Sequence, residues 1–159
     1  MTLEKNLQTV ATVVATHQHL PGALLPILHA VQHELGYIPA DTVPAIAKAL
    51  NLSKAEVHGV ITYYHHFRSE PAGQHVVQIC RAEACQSMGA EQLWAHACVR
   101  LGLSGDHPGT TADGAVTLEP VYCLGLCSSS PAMVVDDKVH ARVSISKFDR
   151  LVAQARSAA

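Results

Sequence analysis

Charged residues are scarce in this chain of 159 residues: Asp, Glu, Lys and Arg together make up 15%, and the formal net charge is −2. Proteins that bind nucleic acid or anionic lipid neutralise phosphates with clustered Lys and Arg, and no basic stripe exists here. Nucleic acid is therefore not expected as a partner. Because apolar residues reach 48%, we expect some of them to lie at contacts with other subunits of a complex.

Long apolar runs are also absent. No Asp, Glu, Lys or Arg occurs between Lys5 and Glu34, but residues 16–19 and the pair Pro21-Gly22 interrupt this stretch. It therefore stays well short of the ~20 apolar residues that a membrane span requires. Residues 1–15 make a weak secretory signal because their apolar part is short and rich in threonine. An odd number of cysteines also argues against an oxidising compartment. We expect no direct membrane insertion and a cytoplasmic location.

The usual signatures of a catalytic centre are missing. The chain contains no nucleophile with a positioned base, no phosphate-binding glycine loop and no dinucleotide fingerprint. Its eleven histidines show no ligand-like pairing with the cysteines. We therefore expect this chain to contain no catalytic site of its own.

Four of the five cysteines form two close pairs, Cys80 with Cys85 and Cys123 with Cys127, separated by 37 residues. The intervals within the pairs, four and three residues, are wider than the two-residue interval common in structural zinc knuckles. A [2Fe-2S] cluster needs two thiolates for each of its irons, which matches one cysteine pair per iron. An iron–sulfur cluster is the favoured interpretation, with zinc and a disulfide or plain thiols as alternatives.

The pattern of apolar residues divides the chain into two halves. Residues 1–70 indicate a helical subdomain: Gly36 ends one helix, Asp41 and Pro44 begin the next, and a capping box from Ser53 to Glu56 begins a third. Its aromatic exit, Tyr63 to Phe67, is expected to pack mainly in the core, with a partner surface as the alternative. Residues 71–159 indicate strands alternating with helices, so the fold class is α/β.

In this second half each cysteine pair follows a predicted strand. Cys80 ends the first strand, and Cys123 lies just beyond the second, which spans residues 115–119. If the two strands are parallel neighbours, both loops emerge at the same edge of the sheet. Gly125 permits a turn with positive φ and a close approach of the backbone to a cluster, which makes it a candidate cofactor-binding residue; an ordinary turn glycine is the alternative. Cys98, in a helix predicted over 89–101, is expected to be a small core residue.

The order of elements, and motifs beyond the cysteines, resemble those of the thioredoxin-like [2Fe-2S] subunit family. The resemblance rests on the two cysteine pairs, on Pro131 four residues after Cys127, and on motifs from about residue 20 to 152. These motifs lie at residues 22–28, 36–39, 57–63 and 113–114. It implies an N-terminal helical subdomain that docks to partners, followed by a thioredoxin-like [2Fe-2S] ferredoxin domain. It also implies that Cys80, Cys85, Cys123 and Cys127 hold the cluster.

Members of this family serve NADH:quinone oxidoreductases, NAD-reducing hydrogenases and NAD-dependent formate dehydrogenases. The segment Cys80–Gly89 and the short chain most resemble the gamma subunit of the soluble, molybdenum-containing formate dehydrogenase. The resemblance then implies a partner that binds flavin (FMN) and NAD, and a catalytic partner with the molybdenum cofactor. Further iron–sulfur clusters are expected on the partner subunits. Within such an NAD-dependent oxidoreductase this chain is an electron-transfer subunit.

Two functions of other classes are alternatives. A zinc-stabilised, non-redox adaptor explains the cysteines without electron transfer, and the visible absorption of a cluster distinguishes the two. A dithiol oxidoreductase is disfavoured because no pair of cysteines two residues apart opens a helix. Arg81, next to Cys80, is open to three interpretations: it raises the potential of the cluster, faces a partner, or is an ordinary solvated side chain.

Overall fold

The computed structural model describes residues 3–104 and 107–157. The chain divides into two compact units, Met1–Pro71 and Ala72–Ala159. Among the described residues, no helix combines the length and apolar character needed to cross a membrane.

The first unit is built from helices. They are α1 (Leu3–His17), α2 (Leu24–Leu35), a short 3-10 turn (Ala40–Thr42), α3 (Val43–Leu50) and α4 (Lys54–Tyr63). The apolar residues that recur at helical spacing turn inward and form one core, whose largest fully buried members are Ile27, Leu28, Ile38 and Ile46. Burial of these faces against one another stabilises helices that would be marginal alone.

Local signals place most helix ends in this unit. Gly36 ends α2 at φ 82° and donates its N–H to Gln32 O, as predicted. The predicted capping box is present: Glu56 N–H donates to Ser53 Oγ at 3.1 Å, and Ser53 N–H donates to the Glu56 carboxylate at 2.7 Å. The prediction that Asp41 caps the next helix is wrong. Asp41 lies inside the 3-10 turn, so the backbone has already turned before α3 begins.

The aromatic exit from α4 is divided between core and surface. Phe67 is buried in the core of the unit, whereas Tyr63 is 75% exposed and Tyr64 is 43% exposed. The expectation of core packing is therefore confirmed for Phe67 and wrong for the two tyrosines.

Over the residues that the structure describes, the second unit is a five-stranded mixed sheet with helices. The strands are β1 (His75–Cys80), β2 (Gly109–Thr110), β3 (Val116–Val121), β4 (Met133–Val135) and β5 (Lys138–His140), in the spatial order β2-β3-β1-β4-β5. The helices are α5 (Glu83–Ser87), α6 (Ala90–Leu101) and α7 (Ile145–Ser157). The α/β fold class is confirmed.

The register of the central strands determines where the cysteine loops emerge. Strands β1 and β3 are parallel, with His75 opposite Val116 and Cys80 opposite Val121. The other neighbouring strands pair in antiparallel fashion. Because the carboxyl ends of β1 and β3 are level, the loops that follow them begin side by side. The predicted convergence of the two loops is confirmed.

The core of this unit joins the sheet to α6 and α7. Trp94, Leu118 and Phe148 are among its fully buried members. Cys98 is buried in the same core, as predicted. Ser144 caps α7 as expected, since Lys147 N–H donates to its hydroxyl oxygen at 3.2 Å.

Candidate metal centre

The first cysteine pair is buried where β1 ends. Cys80 is the last residue of β1, and its N–H donates to Ala132 O at 3.0 Å. Cys85 lies in the short helix α5, with its sulfur 3.6 Å from the hydroxyl of Ser130. Both thiols pack with Ala90 and Ala132 in a small apolar cluster of their own. Water is therefore largely excluded from this side of the site.

The second pair lies on an exposed loop directly after β3. The sulfurs of Cys123 and Cys127 are 3.8 Å apart, and both residues are exposed. Cys123 has φ 77° and Gly125 has φ 74°, so the loop passes twice through the left-handed region. The positive φ predicted for Gly125 is confirmed. A Cβ placed on Gly125 would find no protein atom within 4 Å, so close packing against protein is not what requires glycine there.

Backbone hydrogen bonds bring the two pairs together. Cys123 N–H donates to the sulfur of Cys80 at 3.3 Å. Arg81 N–H donates to Val121 O at 2.8 Å, which continues the parallel pairing of β1 and β3 one residue further. The four cysteines predicted from the sequence therefore gather at one end of the sheet, two buried and two exposed.

The electrostatics of the thiols differ between the two sides. Burial of Cys80 would by itself raise the pKa of its thiol. Hydrogen bonds to its sulfur, beginning with that from the backbone of Ala82, outweigh burial and lower the pKa. The pKa of Cys127 is raised, first by its hydrogen bond with Cys123 and then by the charge of Cys123. Four thiolates so close together repel one another, and a bound cationic centre would relieve that repulsion.

The donor set fits a metal–sulfur group. Two thiolates bound tetrahedrally to one metal at about 2.3 Å stand about 3.8 Å apart, which is the observed separation of the Cys123 and Cys127 sulfurs. Backbone N–H groups directed at sulfur are the contacts that stabilise charge on iron–sulfur clusters. Within residues 3–104 and 107–157, no three His, Cys, Asp or Glu side chains are gathered tightly enough to hold one metal ion. The sulfurs are arranged as pairs.

Arg81 is not a solvated side chain. Its guanidinium contacts the Glu91 carboxylate at 3.0 and 2.5 Å and lies 4.7 Å from the ring centroid of Trp94. The side chain is only 18% exposed. Glu91, Trp94 and Ser130 were not predicted from the sequence as neighbours of the site. Only the helical spacing of Glu91 and Trp94, which places both on one face of α6, could have indicated that they act together.

The family to which the chain belongs follows from its sequence pattern. The pattern of the thioredoxin-like [2Fe-2S] ferredoxins matches residues 10–156. The chain belongs to the thioredoxin-like [2Fe-2S] ferredoxin family. The family and its fold are thus as the resemblance implied.

Named relatives of this ferredoxin are components of NADH-quinone oxidoreductases. The chain is 32% identical to one such component of Rhizobium meliloti over 158 residues, covering 99% of this chain and 91% of the relative. It is 36% identical to a component of the Pseudomonas aeruginosa enzyme over 122 residues, covering 77% and 72%. The corresponding protein of Escherichia coli is 34% identical over 132 residues, covering 82% and 78%.

A solved structure shares the fold. The NAD+-reducing [NiFe]-hydrogenase in its air-oxidised state superimposes with a TM-score of 0.69 at 21% identity. The match covers 88% of this ferredoxin and 24% of the hydrogenase chain. The ferredoxin therefore spans about a quarter of that chain, and the likeness concerns the fold alone.

Proposed function

We propose that this ferredoxin holds one [2Fe-2S] cluster and transfers electrons within an NAD-dependent oxidoreductase complex. Cys80 and Cys85 would bind one iron, and Cys123 and Cys127 the other. The observation that carries the proposal is the arrangement of the sulfurs: one pair at 3.8 Å, with a backbone N–H reaching across to the sulfur of the other pair. When bound, such a cluster accepts and releases one electron at a time.

The residues of the chain have distinct tasks in this proposal. The N–H groups of Ala82, Cys123 and Leu124 direct positive dipoles at the sulfur of Cys80. They stabilise negative charge there and so favour reduction. Burial of Cys80 and Cys85 excludes water from one side. Exposure of Cys123 and Cys127 leaves the other side open to a partner subunit. The chain is thus a non-catalytic subunit of an enzyme.

The partners follow from the names of the relatives. Those names place the relatives in NADH-quinone oxidoreductases, so we infer a partner subunit that binds FMN and NAD. Further iron–sulfur clusters would lie on partner subunits. The helical unit, residues 1–70, is proposed to dock to the flavin-bearing partner, supported by the exposed rings of Tyr63 and Tyr64. A cytoplasmic location fits such a complex.

We propose an NAD-dependent formate dehydrogenase as the parent enzyme. Support comes from the segment Cys80–Gly89 and from the short chain. The catalytic partner would then carry the molybdenum cofactor and oxidise formate. An NADH:quinone oxidoreductase is the second candidate, favoured by the names of the relatives. An NAD-reducing hydrogenase would use the same fold.

Metal analysis of the purified chain tests the proposed cluster, and co-purification tests the proposed parent enzyme. The purified chain should contain two irons and two sulfides, absorb visible light, and give the EPR signal of one unpaired electron after reduction. A colourless chain with stoichiometric zinc would instead establish the adaptor. A tagged chain isolated with its complex should reduce NAD with formate and contain molybdenum. Quinone reduction by a membrane complex without molybdenum would overturn the assignment to a formate dehydrogenase. It would leave the proposed cluster unaffected.

Gly125 provides a smaller test. Alanine at Gly125, with φ 74°, should cost the metal-free chain about 1 kcal/mol in the free energy of unfolding, because an L-residue is strained there. Gly114→Ala is the matched control, with φ 68° and equally open space around a Cβ. We expect similar losses of stability for both variants but lower iron content only for Gly125→Ala. Equal iron content would show that Gly125 serves the turn and not the cluster.

A further inference from the structure

The segment between Arg81 and Glu91 is a closed loop, and Cys85 lies in its middle. The Arg81 side chain, directly after β1, reaches Glu91 in the first turn of α6 with two parallel contacts, Nε to Oε1 at 3.0 Å and Nη2 to Oε2 at 2.5 Å. A paired guanidinium and carboxylate in this fork geometry is directional as well as charged. The ion pair therefore joins the two ends of the segment that carries Cys85.

The arginine end of the pair is well fixed. The guanidinium stacks on the fully buried ring of Trp94, one turn further along α6 than Glu91. The backbone of Arg81 is tied to the other cysteine loop, because its N–H donates to Val121 O two residues before Cys123. One residue thus connects the end of β1, the end of β3 and the first turns of α6.

Besides the ion pair, the segment is held by the packing of Cys85 with Ala90 and Ala132 and by the contact of its sulfur with the Ser130 hydroxyl at 3.6 Å. Helix α5 has only five residues, and Ala82, which precedes it, provides no side-chain cap. Isolated helices of this length are unstable in water. Cys85 nevertheless has a buried thiol. We propose that Arg81 and Glu91 are positioning residues that close this loop and hold the thiol of Cys85 in the site. The consequence for the cluster rests on the proposed function; the effect on the loop does not.

Thiol labelling of the full-length, metal-free chain tests the closure of the loop. In Arg81→Gln and in Glu91→Gln, a maleimide should label Cys85 at least about fivefold faster than in the unaltered chain, the factor that corresponds to ~1 kcal/mol of opening free energy. Arg81→Lys keeps the charge but loses the fork, so its rate should be intermediate. Labelling of Cys98, read from the same peptide digest, should not change.

The control variant is Arg100→Gln. Arg100 lies in the last turn of α6, where it faces Asp149 at 3.7 Å. The same substitution therefore breaks an ion pair at the end of α6 opposite to the one that bears Glu91. It should leave the labelling of Cys85 unchanged. The proposal is overturned by unchanged labelling in both loop variants, by an equal increase in Arg100→Gln, or by a parallel increase at Cys98, which would indicate global unfolding.

A second measurement links the loop to the cluster. The iron-loaded Arg81→Gln and Glu91→Gln variants should release iron to a chelator several times faster than the unaltered chain and the Arg100→Gln control. Exchange of the two residues, Arg81→Glu with Glu91→Arg, should bring the rate of iron release part of the way back to that of the unaltered chain. Such recovery is expected only if the two side chains act through their contact with each other. If the chain binds zinc and no iron, and Cys85 is still labelled faster in the loop variants, the closure of the loop by Arg81 and Glu91 is supported and the proposed cluster is refuted. Iron release unchanged in the loop variants would refute the link to the cluster.

Discussion

The Cys123→Ser variant should lose its bound iron and the EPR signal of the reduced cluster. A serine oxygen is a poorer ligand for iron in a cluster than a thiolate. Changes in residues that merely support a metal ligand already reduce affinity by 10–100-fold, so replacing a ligand itself should reduce iron content on the order of tenfold or more. Cys123 is the best position for this test because it is exposed. Its replacement therefore leaves no buried polar group in the metal-free chain.

Cys98→Ala is the control for this variant, because it removes a thiol that is not proposed as a ligand. Cys98 is as buried as Cys80 and Cys85, yet it belongs to the core between α6 and the sheet and not to the small apolar cluster around the site. Its replacement should leave iron content and spectrum unchanged and cost about 1 kcal/mol of stability. An unchanged signal in Cys123→Ser, or a lost signal in Cys98→Ala, would contradict the ligand assignment. Iron and sulfide analysis with EPR of both variants decides the question.

The features of the fold that could be predicted are those with a local cause. The cap at Gly36, the capping box that starts at Ser53, and the cap at Ser144 each depend on residues within one turn of the chain. The strand that ends at Cys80 is predicted because its six residues include four apolar ones and follow the break from Ser69 to Gly73. Such signals need no knowledge of the rest of the fold.

Elements that depend on tertiary contacts could not be predicted in the same way. Strand β2 has two residues, too few to show periodicity, and exists because it pairs with β3. Helix α5 has five residues, fewer than a helical pattern needs to be recognised. Asp41 looked like a cap because its residue type favours one, but the chain enters α3 through a 3-10 turn.

The same distinction applies to the candidate site. The meeting of the cysteine loops could be anticipated from two strands and the assumption that they are parallel neighbours. The environment of Arg81 could not be anticipated, because Glu91 and Trp94 contact Arg81 only after α6 has packed near the end of β1. The unequal exposure of the cysteine pairs also follows from packing, since the pair that encloses Arg81 and Glu83 is buried and the pair that encloses only Leu and Gly is exposed. The spacing of the cysteines along the chain therefore predicts which residues gather at the site better than it predicts which residues surround them.

The stability of the second unit should depend strongly on Phe148. This side chain of α7 is fully buried in the core beneath the sheet, and the ring of His96 from α6 meets it edge-on with the ring centroids 5.9 Å apart. Phe148→Ala should lower the free energy of unfolding by about 3–5 kcal/mol, because it removes buried apolar surface and leaves a cavity. Domains are typically stable by only about 5–15 kcal/mol, so the variant should be close to unfolding.

Ile145→Ala is the control for this prediction, since Ile145 begins the same helix but is 46% exposed. It should cost about 0.5 kcal/mol or less. The single tryptophan, Trp94, is buried in the same core as Phe148, so its fluorescence during denaturation reports this unit. Measurements belong on the metal-free chain, because any group that binds only the folded state adds its binding free energy to stability. Equal midpoints for the two variants would mean that Phe148 contributes little to the stability of this unit.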